Sequence, residues 1–244
     1  MNRSHRVRIP SRTSDRSNPG RFAALAAAGL LALGACAPGR VAVVGPLPEP
    51  AEAATGLEQA TRLREPTRID FRWQLNEAGS RVGGVGVARI EPPYRARLDL
   101  FLDNGETVVA AAVVGEELRL PPGAPDDVLP PVELMWATVG VFRPLPGALM
   151  TGGDRLEDGA ERLRYHTEDG RELHYEVSEG HLRAVDLLEG TSVVEWVRLE
   201  GGGEGGFPES VTYRNLAEFR ELQIVRNAVR PSAPFEPTIW DPRS

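Results

Sequence analysis

Strict alternation of apolar and polar side chains is the feature that most limits how this chain can fold. Ile69, Phe71, Trp73 and Leu75 are each separated by one charged or amide residue. Successive side chains of a β-strand point to opposite faces, so a period of two places these four on one side. The segment therefore predicts a half-buried strand.

The same signal returns along most of the chain. Leu98 and Leu100 belong to a second alternating run, and Asp103-Asn104-Gly105 after it is typical of a hairpin turn. Further strands are predicted over residues 82–90, 107–114, 117–120, 181–188, 193–199, 209–214 and 219–227. Because short strands separated by turns pair with their neighbours, the series predicts an antiparallel sheet.

One hairpin is predictable residue by residue. With a three-residue loop over 168–170, Tyr165 pairs with Leu173 and Leu163 with Tyr175. This register places all four apolar side chains on one face, and a slip by one residue would reverse them. The outward pairs are then Arg162 with Glu176 and Arg164 with His174.

Two segments have helical spacing. A short helix is predicted over 57–65, ended by Pro66. A second segment follows a Pro-rich loop and ends before Pro144, with one apolar stripe made of Val132, Met135, Trp136, Val139 and Phe142. The chain is thus expected to be mainly β, a curved antiparallel sheet or open half-barrel of about ten or eleven strands with two or three short helices.

The N-terminus reads as a lipoprotein signal peptide. Six arginines precede an Ala-, Leu- and Gly-rich stretch over 22–35, which is too short to span a bilayer comfortably. It ends at Leu33-Gly34-Ala35-Cys36, which resembles a lipobox, and Cys36 is the only cysteine. We expect cleavage before Cys36 and lipid on its thiol; the alternative is an ordinary secretory signal with an accidental thiol. More than one acyl chain makes such an anchor stable.

The residue after the cysteine and the charge balance bear on location and partners. Position 37 is Ala and not the Asp that favours inner-membrane retention, so we expect an outer-membrane anchor facing the periplasm. Beyond Ala35 the chain has 22 Arg, no Lys and 34 acidic residues, a net charge of about −12. Such a domain is a poor partner for nucleic acid, and any lipid is expected to be held by apolar contact.

These features divide the chain into four parts. Residues 1–35 are the predicted signal peptide, and residues 36–56 are the lipidated Cys36 with a Pro- and Ala-rich linker. Residues 57–230 form the predicted β domain. Residues 231–244 form a Pro-rich tail expected to lie along the surface. Nothing in the sequence fixes the oligomeric state.

The chain resembles the LolA/LolB lipoprotein-carrier superfamily. The likeness covers roughly residues 57–230 and lies in the strands around Gly84-Val85-Gly86 and Pro93-Tyr94-Arg95, in the mid-chain helix, and in Phe207-Pro208 before a late strand. It implies an eleven-strand half-barrel with an apolar inner face, capped by helices, that binds acyl chains and is not an enzyme. Members of that superfamily are expected to be basic or near neutral, and this domain is acidic.

Catalytic and metal-binding patterns are absent from the sequence. Gly201, Gly203 and Gly206 match a dinucleotide fingerprint, but another strand follows them where that site needs a helix. His166 and His174 share the outer face of the predicted hairpin; a metal there is the less favoured alternative to ordinary surface residues. We expect no catalytic residue, no metal and no cofactor.

The candidate ligand site is an apolar cavity. Its predicted lining is Ile69, Phe71, Trp73, Leu75, Leu98, Leu100, Met135, Trp136, Val139 and Phe142. An open cavity and an ordinary closed core require the same alternation, so both interpretations stay open, and the helix is either a core helix or a lid. The first hypothesis is a membrane-anchored protein that binds acyl chains or lipoproteins in lipoprotein localisation or envelope biogenesis. The alternative is a non-catalytic lipoprotein that supports assembly of an envelope complex.

Overall fold

All thirteen strands of the described residues belong to one open antiparallel sheet. The computed structural model describes residues 41–124, 128–202 and 206–242. In chain order the strands β1 to β13 are Val43–Pro46, Thr67–Glu77, Ser80–Glu91, Arg95–Leu102, Thr107–Val114, Glu117–Arg119, Leu149–Leu156, Glu161–His166, Glu172–Ser178, His181–Glu189, Ser192–Gly202, Pro208–Asn215 and Arg220–Pro231. The predicted mainly-β, open half-barrel class is confirmed.

The strand order is β1-β7-β8-β9-β10-β11-β12-β13-β2-β3-β4-β5-β6. Nearly all neighbours are therefore consecutive in sequence, and the exceptions join β13 to β2 and β1 to β7. The pairing of β8 with β9 sets Tyr165 opposite Leu173 and Leu163 opposite Tyr175, as predicted. Residues 41–244 form a unit with a hydrophobic core of its own.

Two strands were not predicted. In β7, Gly152 and Gly153 interrupt any alternation, and β1 lies in the segment expected to be a linker. Gly153 explains why they pair, since a β-carbon there would stand 3.0 Å from the side chain of Leu47, which follows β1. The glycine lets the N-terminal segment approach the sheet closely.

The helices differ from prediction in their bounds. The first, α1, spans Pro50–Thr61 and begins earlier than expected, because proline fits the first turn of a helix. It ends at Arg62, whose backbone is extended, well before Pro66. Together with β1, this makes the described part of the predicted linker regular structure.

The mid-chain helix is shorter than its apolar stripe suggested. A single turn, α2 (Val132–Met135), continues as a 3-10 helix over Trp136–Val139. Gly140 follows in the left-handed conformation with φ 75°, which ends the helix, so Phe142 lies beyond it. Residues 132–139 are called the lid below.

The C-terminal tail packs against the outer face of the sheet. A 3-10 helix over Pro237–Trp240 contacts β4 and β5, and Trp240 is buried. Arg97 Nη1 donates to the carbonyl oxygen of Ile239 at 2.9 Å, and Arg119 Nη1 to that of Trp240 at 3.1 Å. The tail thus lies on the surface as predicted, and its last turn is part of the folded unit.

Candidate ligand-binding site

The inner face of the sheet carries the apolar side chains that the alternation placed together. Phe71 and Trp73 are 2% and 3% exposed, and Leu100 is fully buried. On β13, Ile224 pairs with Trp73 and Leu222 pairs with Leu75, and both belong to the same cluster. Burying side chains of this size contributes about 1.5–3 kcal/mol each, so this face supplies much of the stability of the fold.

The lid covers this face and is tied to the sheet on two sides. Trp136 Nε1 donates to the carbonyl oxygen of Gly115 at 3.1 Å, in the turn between β5 and β6. On the other side, Arg171 Nη2 donates to Glu133 Oε1 at 2.5 Å, next to the start of β9. The neutral hydrogen bond of Trp136 contributes about 1 kcal/mol, and the one between the charged groups of Arg171 and Glu133 contributes about 1.5–3 kcal/mol. The lid is therefore held by a few polar contacts and by its buried apolar residues.

An open cleft of about 470 Å³ lies at the end of the inner face where β2 begins and β13 ends. It is called the entrance cleft here. Its walls are the segment 60–65 at the end of α1, residues 139–141 at the end of the lid, and Phe207 before β12; Thr67, Gly206, Val229 and Pro231 complete the lining. Its volume is in the range of small-molecule sites.

Two small apolar voids continue from the cleft beneath the lid. The first void, about 40 Å³, lies between the lid and a wall that includes Ile69, Phe71 and Leu98. The second void, about 30 Å³, lies between the lid and a wall that includes Ala96, Ala111 and Val113. Each has room for about one water molecule and no more.

Shared lining residues place these three spaces in a row. Val139 lines the entrance cleft and both voids, and Phe207 lines the cleft and the first void. Ala88 and Thr138 line both voids from opposite sides. The three spaces therefore adjoin one another along the lid, from the cleft to the second void.

Six of the ten residues predicted to line a cavity meet at these voids. Ile69, Phe71, Leu98 and Val139 line the first, and Leu98, Met135, Trp136 and Val139 line the second. The other four are core residues: Trp73, Leu75 and Leu100 are buried in the sheet face, and Phe142 packs edge-on against Tyr175 at 4.9 Å. The interior is therefore largely filled by the lid, with small voids and an open cleft.

Sequence reasoning missed the entrance. The segment 60–65 belongs to the predicted helix over 57–65 and has no recognisable binding motif, and Val229 lies in the last strand, far from it in sequence. Ala88 gave no signal because a small side chain on an alternating strand is unremarkable. Phe207 was noted only as part of a short motif. The pairing of β13 with β2 is what brings these segments together.

The opposite end of the inner face is polar. Arg220 is 4% exposed and is paired with Glu77 and with Glu218, the latter at 2.6 Å from Nη1. Tyr213 donates its hydroxyl to Glu195 at 2.9 Å, and burial raises the pKa of both groups. An acyl chain offers no hydrogen-bond partner to polar groups of this kind, so apolar ligands are expected at the cleft end only.

Polar sites elsewhere in the described residues are less developed. A second cleft of about 340 Å³ is lined by Glu179, His181 and Arg183 among others. It shares Pro208 with the first void, and Gly140 and Gly206 with the entrance cleft. Gly202 pairs with Pro208 of β12, so a strand and not a helix follows the glycine-rich segment, as predicted. In the ranges 41–124, 128–202 and 206–242, no three His, Cys, Asp or Glu side chains are grouped to hold a metal ion.

No protein-family model and no curated protein matches the chain. Solved structures do. A DUF1329 family protein from Desulfovibrio piger superposes with a TM-score of 0.56 at 10% identity, over 80% of this chain and 97% of that one. None of the helices in the described residues is both long and apolar enough to cross a membrane.

Two further structures are similar to this chain and carry family names. A LolA superfamily protein from Nitrosomonas europaea superposes with a TM-score of 0.51 at 8% identity, over 78% of this chain and 96% of that one. A Vibrio parahaemolyticus domain named for outer membrane lipoprotein sorting gives a TM-score of 0.54 at 8% identity, over 78% and 94%. At such identities the likeness concerns the fold alone. The resemblance predicted from the sequence is confirmed at that level: this chain has a LolA-like fold.

Proposed function

We propose that this protein is an envelope lipoprotein that binds acyl chains beneath its lid and is not an enzyme. In this proposal lipid on Cys36 anchors it to the outer membrane on the periplasmic side, where it acts in lipoprotein localisation or envelope biogenesis. The observation that carries the proposal is the row formed by the entrance cleft and the two voids, with Val139 lining all three. The LolA-like fold of two compared proteins, one of them named for lipoprotein sorting, supports it.

The size of the voids sets a condition on binding. At about 40 and 30 Å³ they do not admit an acyl chain while the lid keeps its position in the structure. Binding therefore requires the lid to move, and the chain must replace the apolar contacts that the lid loses. Each methylene removed from water contributes about 0.8 kcal/mol, so a chain of medium length offsets the loss of the polar ties of the lid.

The alternative function, a scaffold for an envelope complex, is favoured by one observation. The inner face is largely filled in the described residues, as in a closed core. The two functions differ in a single property, namely whether the inner face takes up a saturable ligand.

Titration of residues 41–244 with dodecanoate tests the proposal. Trp136 lines the second void, so entry of a chain is expected to change its fluorescence in a saturable way. Trp136→Phe should remove most of the change, whereas Trp196→Phe should not, because Trp196 lies between Arg198 and Arg214 on the other face. A folded domain with no saturable response would favour the scaffold.

A void-filling variant makes the test specific. Ala88→Leu places a larger side chain beside both voids and is expected to weaken dodecanoate binding by roughly tenfold or more, while lowering the free energy of unfolding by about 1–3 kcal/mol. Ala51→Leu adds the same side chain at an exposed position of α1 and is expected to bind as the unaltered protein does. Equal dodecanoate binding by both variants would show that the acyl chain does not bind in these voids.

A further inference from the structure

The rim of the entrance cleft carries two arginines without partners in the described residues. Arg62 and Arg64 both line the cleft and both are exposed. No ion pair or hydrogen bond of either guanidinium group is found with residues 41–124, 128–202 or 206–242. Glu65 lines the same rim and does not pair with them.

Such arginines are unusual in this protein. At least sixteen of the twenty arginines in the described residues form an ion pair with a carboxylate, as expected where acidic residues exceed basic ones. Arg81 and Arg155, which also have no ion pair there, lie outside the cleft and both voids. Arg62 and Arg64 are thus the two that border the entrance cleft.

A third arginine lies further in. Arg226 lines the first void with a side chain that is 14% exposed, and it forms an ion pair with Glu209 at 3.9 Å. The charged residues that the structure describes in the lining of the cleft and the first void are Arg62, Arg64, Glu65, Glu209 and Arg226. Among these described residues positive charge exceeds negative charge by one, although the chain as a whole has a net charge of −7.

We propose that the ligand is an anionic amphiphile, whose carboxylate or phosphate head group is held by Arg62 and Arg64 while its acyl chain enters the voids. This inference rests on the proposed function and names its ligand class. A guanidinium group presents its donors in a planar fork that matches carboxylate and phosphate oxygens. Because screening limits the negative field of the domain to about 8 Å at physiological salt, short-range contacts at the rim decide head-group preference.

A purely structural role makes a different prediction. Arg62 is the C-terminal cap of α1, where a positive charge also stabilises the helix dipole. If that were the role of these residues, removing the charge would lower thermal stability and leave ligand preference unchanged. Head-group selectivity is thus the readout that separates the two roles.

The test compares amphiphiles of one chain length on residues 41–244, which have a core of their own. The probes are dodecanoate, dodecyl phosphate, neutral monolauroylglycerol and cationic dodecyltrimethylammonium, each below its micellar concentration. We expect the anionic probes to bind about tenfold more tightly than the neutral one, with a preference that decreases as salt is raised. The ratio of dodecanoate to dodecyl phosphate identifies which head group is preferred.

Two double variants test whether the rim arginines cause the preference for anionic head groups. Arg62→Gln with Arg64→Gln is expected to remove the anionic preference while monolauroylglycerol binds as before. Arg81→Gln with Arg155→Gln removes the same charge from exposed positions outside the cleft and is expected to keep the preference. Equal binding of anionic and neutral probes by the unaltered protein would overturn this inference and leave the proposed function standing. Binding of none of the probes would overturn both.

Discussion

The ring of Phe71 lies over Gly86, its partner on the neighbouring strand β3. A β-carbon at position 86 would overlap Cε2 and Cζ of the ring. Two residues further along β2, Trp73 is opposite Gly84, and its Nε1 donates to the carbonyl oxygens of Val85 and Phe101 at 3.0 and 3.1 Å. A β-carbon at position 84 would overlap the carbonyl oxygen of Phe101 on β4. Gly86 thus makes room for the ring of Phe71, and Gly84 allows the backbone of β4 to approach closely, which explains the Gly-x-Gly motif.

Gly86→Ala is expected to lower the free energy of unfolding by about 1–3 kcal/mol, because the ring must leave its position. Chemical denaturation checks the loss. Gly56→Ala is the control: no atom lies within 4 Å of a β-carbon there, and alanine favours the helix by about 1 kcal/mol. In a Phe71→Leu background the cost of Gly86→Ala should shrink, and an unchanged cost would show that the ring is not its cause.

Glu133→Gln is expected to loosen the lid. It removes the charge that Arg171 pairs with, while Arg171 keeps Asp169 at 2.7 Å. If the free energy of opening the lid falls by about 1 kcal/mol, hydrogen exchange of the amides of Leu134, Met135 and Val141 is expected to become roughly fivefold faster. Dodecanoate is expected to bind more tightly, because opening the lid then costs less free energy.

The control for the lid variant is Asp158→Asn, which breaks an ion pair with Arg183 at 2.5 Å outside the lid. It should leave both the lid amides and ligand binding unchanged. Equal protection of the lid in Glu133→Gln and in the unaltered protein would contradict a lid held by this pair.

Glu176 is expected to make the free energy of unfolding decrease at acidic pH. Burial alone would raise its pKa, but hydrogen bonds from Arg162 at 2.7 Å and Arg183 at 3.2 Å outweigh burial and hold the pKa below its ordinary value of 4.5. Because the pKa is lower in the folded state, its contribution is complete above about pH 4.5 and is lost as the pH falls through the folded-state pKa.

Glu176→Gln should therefore lower the free energy of unfolding at pH 7 by about 1–3 kcal/mol and flatten its fall in acid, as measured by denaturation at several pH values. Glu157→Gln, at an exposed position without an ion pair in the described residues, should change it by less than about 0.5 kcal/mol. An unaltered acid dependence in Glu176→Gln would show that other carboxylates govern it.

Cys36→Ser is expected to abolish the membrane anchor, because in the proposed function the sulfur of Cys36 is the atom that receives lipid. Metabolic labelling with palmitate and membrane fractionation of the full chain check this. The variant should carry no label and leave the membrane after salt extraction, whereas Ala37→Ser, a change next to the same site, should keep both. Labelled, membrane-bound Cys36→Ser would contradict the lipoprotein assignment.

The local β structure of this protein could be predicted from its amino-acid sequence. Alternation fixed the face on which Ile69, Phe71, Trp73 and Leu75 lie, because the side-chain period of a strand is two and a slip would expose all four. The loop over 168–170 fixed the register of β8 and β9 down to the pair of Arg162 with Glu176. These are short-range consequences of backbone geometry, so no knowledge of distant segments was needed.

Whether the apolar face encloses a cavity or a filled core depends on packing between distant segments. A closed core and a ligand cavity have the same alternation of apolar and polar residues. The volume left between the lid and the sheet depends on the distance of the lid from the strand that carries Ala88 and on the end of the lid at Gly140. The entrance exists because β13 pairs with β2, which sets Val229 beside the segment after α1. Such packing depends on many weak contacts between segments that are far apart in the sequence, so no local sequence pattern predicts it. The same holds for the position of Arg62 and Arg64 at the rim of the cleft.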